Sequence, residues 1–416
     1  MESQIILCLS GGGFRATIFH LGVLDYLAQS GRLNMVKSIY AVSGGALTAA
    51  HLSHHWEEYT NIESFPSAAV RLLEYCHHGV IENIVISSVI SNATRSNRFE
   101  KTIHPLFDIP IPASARPTYL VSSSLTDMSQ FAVEIKSRRL YRCGKDEETP
   151  RDLGKSSLST SRAVAMSASF PLVFEPTYLS PGITGLDMSA LGKIHLVADG
   201  GIVDNLGIKM AFSNENARSN GCIYLVSDAG PIFDELEPGQ GSVTFLSPLR
   251  TVDYLMNQNA DTVVKTTRSR IADDGARLAI VSLNAARRVV NELDIGVEPA
   301  LIHAVTRMRT NLDACSIVEI TSLYRLGLLL AQEQLSVDTF DDPSIKSNGL
   351  IEAQTIDGHS LQRPWKEIAL CPQMEKRGSA VDLFFKNPRI FVFCALLSII
   401  GIASLFGIVF SLFFQQ

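Results

Sequence analysis

The chain has few tryptophans, no paired cysteines and no surplus of positive charge. Among its 416 residues, 36 lysines and arginines stand against 42 acidic side chains, a formal charge of −6. Without a basic surplus, general affinity for a phosphate backbone is not expected, and nucleic acid is set aside as a partner. Seven cysteines, at 8, 76, 143, 222, 315, 371 and 394, are odd in number and widely scattered. None forms a Cys-x-x-Cys pair, so neither a zinc ribbon nor a disulfide framework is indicated, and no metal site is expected. A reducing compartment fits this usage. The N-terminus lacks a basic stretch followed by a cleavable apolar one, so no secretory signal is read there.

Charge is also missing from the run between Ile390 and Phe414, IFVFCALLSIIGIASLFGIVFSLFF. As a helix it would reach ~37 Å, enough to cross a ~30 Å hydrocarbon core with some tilt. Lys386 and Arg389 precede it. The positive-inside bias then keeps the large N-terminal part cytoplasmic, tethered by a single-pass C-terminal helix.

Glycine, by contrast, is concentrated early. ILCLSGGGFRATIFHLGVLDYL places Gly11, Gly12 and Gly13 between an apolar run and a helix-like run. Three glycines in a row disfavour any regular element, so bare backbone is needed there for some other reason. Ile5 to Leu9 reads as a buried parallel strand, and apolar spacing from Arg15 to Gln29 reads as a helix. Ser38 to Val42 reads as a second strand, followed by a helix over GALTAAHLSHH. That order implies a right-handed βαβ unit and an α/β fold with a parallel sheet. Further strands are expected at Thr118–Ser123, Ile194–Asp199 and Cys222–Asp228, with a mostly helical stretch from Pro248 to about Gln332.

Gly11-x-Gly13-x-x-Ala16 also fits a dinucleotide fingerprint. That use calls for an acidic residue closing the second strand, and here the strand closes in AVSGG. A phosphate-binding P-loop would need a Lys-Ser/Thr pair after the glycines, which is missing. The remaining use is stabilisation of a developing oxyanion by N–H groups at a helix start. Tyr40-Ala41-Val42-Ser43-Gly44-Gly45-Ala46 supports it, with a serine at a sharp strand-to-helix turn flanked by small residues. Ala41 replaces the usual first glycine of that turn. Gly44 places its N–H beside the serine.

A serine hydroxyl needs a positioned proton acceptor. His51, His54 and His55 lie on the helix after the turn, and His51/His55 lack the glutamate of a zinc-binding HExxH pattern. His303 and His359 lie late in the chain, without a visible strand end. A carboxylate does stand at a strand end: Asp199 in HLVADGGIVDNLG, followed by Gly200 and Gly201.

SGGGFR, AVSGGA and ADGGIVDNLG, in that order, resemble the patatin-like phospholipase family, and AMSASFPLVFEP (165–176) is similar to that family's FPxxF stretch. YLVSDAG and RTNLDACSIVEITSLYRLG resemble its bacterial-type branch. The resemblance spans residues 5 to about 330. It implies a three-layer α/β fold with a mostly parallel central sheet, and a Ser–Asp dyad without histidine or cofactor. Mapped onto this chain, the resemblance makes Ser43 the nucleophile and Asp199 the proton acceptor. Gly11, Gly12, Gly13 and Gly44 become the oxyanion donors, and Arg15 a substrate-binding residue or a support of the loop. Ala16 and Ala41 depart from the family's glycines without removing a catalytic group.

The expected organisation is a catalytic core over 1–213, a mainly helical remainder of the α/β domain over 214–333, a peripheral segment or stalk over 334–389 and a membrane helix over 390–414. The expected activity is hydrolysis of fatty-acyl esters of membrane lipids, of phospholipase or lysophospholipase type. A non-catalytic membrane adaptor and a nicotinamide-dependent oxidoreductase are the alternatives.

Overall fold

A computed structural model describes residues 3–81, 84, 94–171, 173–215, 220–230, 243–293, 299–336 and 349–362. The run 390–414, expected to span a membrane, lies outside the described residues. Among the described residues no helix is long and apolar enough to cross a membrane.

Among the described residues ten strands form one sheet: β1 (Ile5–Leu9), β2 (Val36–Val42), β3 (Thr118–Ser124), β4 (Gln130–Glu134), β5 (Arg139–Cys143), β6 (Arg151–Lys155), β7 (Thr177–Leu179), β8 (His195–Asp199), β9 (Ile223–Asp228) and β10 (Arg277–Ser282). The order β10-β9-β1-β2-β3 is parallel throughout. This is the α/β arrangement that the alternation of strands and helices predicts. Every residue of β1 is fully buried, as a continuous apolar run demands when both faces of a parallel sheet are covered. Beyond β3 the sheet turns antiparallel, through β4, β5 and β6 on one side and β8 and β7 on the other.

Strand periodicity divides the core between two faces. Ile6, Cys8, Tyr40, Val42, Tyr224 and Val226 share one cluster with Met210, Phe212, Ala260 and Ile271. The last four belong to the helices Ile208–Glu215 and Val243–Asp273. On the other face lie α1 (Gly13–Gln29), α2 (Gly44–His54) and the helix Ile317–Ser336. The α1 helix begins two residues earlier than its apolar spacing suggests, so the third glycine of the triplet is already helical.

Two glycines set how α1 meets the Ile317–Ser336 helix. A methyl group on Gly22 would collide with the Tyr324 carbonyl oxygen, and one on Gly327 with the Phe19 carbonyl oxygen. The backbones therefore touch directly, which fixes α1 lengthwise and with it the loop at its N-terminus. Asp25 of α1 adds a polar tie. Its carboxylate accepts from the Tyr324 hydroxyl at 2.7 Å, the Leu350 N–H at 2.7 Å and the Gln29 amide at 2.8 Å. Leu350 falls in the stretch expected to be a peripheral segment or stalk. Over 349–362, Ile351, Ile356 and Leu361 of that stretch are buried.

Candidate active site

Both candidate catalytic side chains are placed by one edge of β3. β2 runs parallel to β3 and ends with Val42 opposite Val121. β8 runs antiparallel to β3 and ends with Asp199 opposite Ser122. The other edge of β3 is occupied by β4, which pairs with both Val121 and Ser122. β2 and β8 thus approach each other head-on along the same edge and stop at adjacent positions. Neither can continue, and each chain turns out of the sheet at Ser43 and at Gly200. A Cβ on Gly200 would collide with the Val121 carbonyl and crowd Val42, so the turn after Asp199 requires glycine.

Ser43 turns with φ 52° and ψ −118°, a left-handed conformation that is costly for a residue with a side chain. It is half-buried between fully buried neighbours, so its side chain is reachable where the rest of the strand end is not. Ala41 lies between Leu9 of β1 and Leu120 of β3 and is fully buried. The following glycines are dictated by contact. A Cβ on Gly44 would strike the Gly13 carbonyl, and one on Gly45 the carbonyls of Leu9 and Ser10. The start of α2 therefore rests directly on the glycine triplet.

Residues 167–169, inside the AMSASFP stretch, hold both turns. The Ser43 N–H donates to Ser167 Oγ at 3.0 Å, and that hydroxyl donates to the Val121 carbonyl at 2.6 Å. The Gly200 N–H donates to the Ser167 carbonyl and the Asp199 N–H to the Ser169 carbonyl. Asp199 is 1% exposed, and its Oδ1 accepts the Gly201 N–H at 2.8 Å.

The triplet divides its work. The Gly11 N–H donates to the Asn205 carbonyl at 2.9 Å, which removes it from the expected set of oxyanion donors. Gly12 (φ 139°) and Gly13 (φ 58°) turn the chain into α1. Among the described residues, the N–H groups of Gly12, Gly13 and Gly44 have no acceptor. All three stand at helix starts, where the macrodipole also favours negative charge. Gly13 is backed by the carbonyls of Thr310 and Asn311, and the Phe14 N–H donates to the latter.

Arg15 is not presented to a substrate. Its side chain is buried, and its guanidinium donates to the carbonyls of Met308 at 2.9 Å and Ala229 at 2.6 Å. These bonds tie the start of α1 to the chain at Ala229 and Met308.

Asn205 lies within ADGGIVDNLG, where no local pattern marks its role. Its carbonyl holds Gly11, and its side-chain oxygen occupies the space that a Cβ on Gly11 or on Gly201 would need. The hydrogen bonds of the histidines lead away from Ser43. His51 pairs with Tyr59, and His54 with the Ile109 carbonyl and Thr160. His20 bridges the Ser10 carbonyl, at 2.9 Å from Nε2, and the Ser227 hydroxyl, at 2.6 Å from Nδ1.

A family model described as patatin-like phospholipase matches residues 7–212, a span that contains the glycine triplet, both strand-end turns and the 167–169 clamp. The chain carries a patatin-like phospholipase domain. No curated protein matches the chain. Among matching solved structures, VipD from Legionella pneumophila aligns over 80% of this chain and 67% of its own at 11% identity. The TM-score of that alignment is 0.33.

Within the patatin-like domain, His20 ties the end of β1 to the end of β9 just before the triplet. Burial pulls its imidazole down to about 4, and the Ser10 contact offsets this only in part. The folded chain therefore refuses a proton that the unfolded chain accepts below about pH 6.5. The His20 contribution to stability is complete above that pH and lost as pH falls toward about 4, on the order of 3 kcal/mol. Melting curves from pH 7 to pH 4 should fall more steeply for wild type than for His20→Gln. Equal slopes would show that His20 is not buried in neutral form.

Proposed function

We propose that the patatin-like domain hydrolyses fatty-acyl esters of membrane lipids, with Ser43 as nucleophile and Asp199 as its proton acceptor. The observation that supports this reading is the head-on meeting of β2 and β8, one strand followed by a strained, half-buried serine and the other ending in a buried carboxylate. Asp199 takes the Ser43 proton as Oγ attacks the acyl carbonyl carbon. The carbonyl oxygen becomes an oxyanion, held by the N–H groups of Gly12, Gly13 and Gly44. Collapse breaks the ester bond, and the departing lipid alcohol takes the proton back from Asp199. Water, deprotonated by the same carboxylate, then clears the acyl group from Ser43 and regenerates the hydroxyl.

Steady-state hydrolysis of a soluble short-chain ester by the full chain tests this. Ser43→Ala and Asp199→Asn should each remove about 10³-fold or more of kcat while the melting temperature stays near wild type, and the double variant should be hardly worse than either. An Asp199→Asn enzyme with near-normal kcat would exclude the carboxylate as the base.

The uncharged run 390–414 supports a second part of the proposal, attachment to a membrane with the domain on the cytoplasmic side. Truncation before Lys386 should release the protein from sedimented membranes while leaving hydrolysis of soluble esters intact. A truncated chain that still sediments with membranes would place the attachment elsewhere.

A further inference from the structure

A cavity of about 480 Å³ opens at the C-terminal ends of β9 and β10, the ends at which parallel α/β sheets receive ligands. Its walls include Asp228 and Ser282 from those strand ends, and Asp261, Lys265 and Arg268 from the Val243–Asp273 helix. Asn205 also lines it. That residue joins the cavity to the site, because its carbonyl holds Gly11 and its side chain abuts Gly11 and Gly201.

The charges of the cavity are arranged in two kinds. Lys265 and Arg268 are three residues apart on one helix, so they share a face, and both are exposed. Among the described residues neither forms an ion pair, whereas Arg142, Arg162 and Arg309 all do. On a chain of net charge −6, two adjacent unpaired cations beside a cavity make a local site for an anion. One turn earlier on the helix, Asp261 offers an exposed carboxylate. Deeper in, Asp228 is already engaged by the Ser282 hydroxyl at 2.8 Å and the Gly230 N–H at 2.9 Å. The remaining wall includes Ala260, Val264 and Ile280, and among the described residues that line it none carries an aromatic ring. A quaternary ammonium is recognised by aromatic faces, so an ammonium that keeps its N–H donors suits this wall better.

We propose that the cavity binds the headgroup of the lipid substrate, and that this headgroup is a phosphate ester of a primary amino alcohol, of the phosphoethanolamine class. Lys265 and Arg268 take the phosphate and Asp261 the ammonium. The glycerol part passes Asn205, so that an acyl ester of the same molecule reaches Ser43. This assignment rests on the hydrolase reading above and names its substrate class.

The test uses the full chain in detergent micelles with three lipids of one acyl chain: lysophosphatidylethanolamine, lysophosphatidic acid and monoacylglycerol. The Lys265→Ala/Arg268→Ala variant should raise KM about tenfold or more on both phosphate-bearing lipids and leave monoacylglycerol unchanged. Asp261→Asn should raise KM on lysophosphatidylethanolamine alone. Equal effects on all three lipids, or none on lysophosphatidylethanolamine, would overturn the assignment. If wild type hydrolyses none of them, the hydrolase reading fails. The cavity is then judged by whether glycerophosphoethanolamine raises the melting temperature of wild type but not of Lys265→Ala/Arg268→Ala; no rise in wild type overturns the proposal.

Discussion

The arrangement depends on a shared hydrogen-bonding edge. β3 offers one edge to β4 and divides the other between β2, which pairs through residues 118–121, and β8, which pairs through 122–124. Two strands arriving from opposite directions on one edge must both leave the sheet where they meet. The residues at that junction acquire positions that no uninterrupted strand could give them. Ser43 is forced into a left-handed turn, and Asp199 is held between the sheet and the DGG turn. Strain at Ser43 is sustained because its N–H, its neighbours and the opposing turn are all fixed by Ser167, Ser169 and Val121.

Glycine makes the second layer of the arrangement possible. Gly44 and Gly45 let the start of α2 lie on the carbonyls of residues 9, 10 and 13, while Gly22 and Gly327 fix α1 against the Ile317–Ser336 helix. Two helix N-termini are thereby brought beside one serine. Their N–H groups are fixed by the fold itself, the condition under which the proposed oxyanion would be stabilised without reorganisation. The buried Arg15 and Asn205 hold that loop from behind, by way of main-chain carbonyls and the Gly11 N–H.

The parallel strands β1, β2, β3 and β9 and both strand-end turns were legible in the sequence because their signals are local, whereas β10 lies inside the stretch expected to be mostly helical. β1 is found at the residues its apolar run marks, and β8 and β9 begin one residue later than their runs suggest. Ser43 and Asp199 announce themselves through adjacent glycines. Of the antiparallel half only β8 was legible: Arg151–Lys155 reads RDLGK and Thr177–Leu179 has three residues, too short or too polar to show a period. The fates of Arg15, Gly11 and Asn205 were equally hidden. Each depends on loops hundreds of residues apart in sequence, around 205, 229 and 308–311, and no local pattern encodes those contacts. Over 349–362, turn residues conceal three buried apolar anchors, Ile351, Ile356 and Leu361.

The central claim is that the junction on β3 makes Ser43 a nucleophile activated by a carboxylate and by no histidine. Labelling of the full chain with a fluorophosphonate, followed by mass mapping of the modified peptide, tests it most directly. The account predicts a single phosphonylated residue, Ser43, with labelling abolished in Asp199→Asn and retained when His20, His51 or His54 is replaced by glutamine in a folded chain. Labelling that survives Asp199→Asn but disappears on replacing one of those histidines, or that maps to a serine other than Ser43, would contradict it.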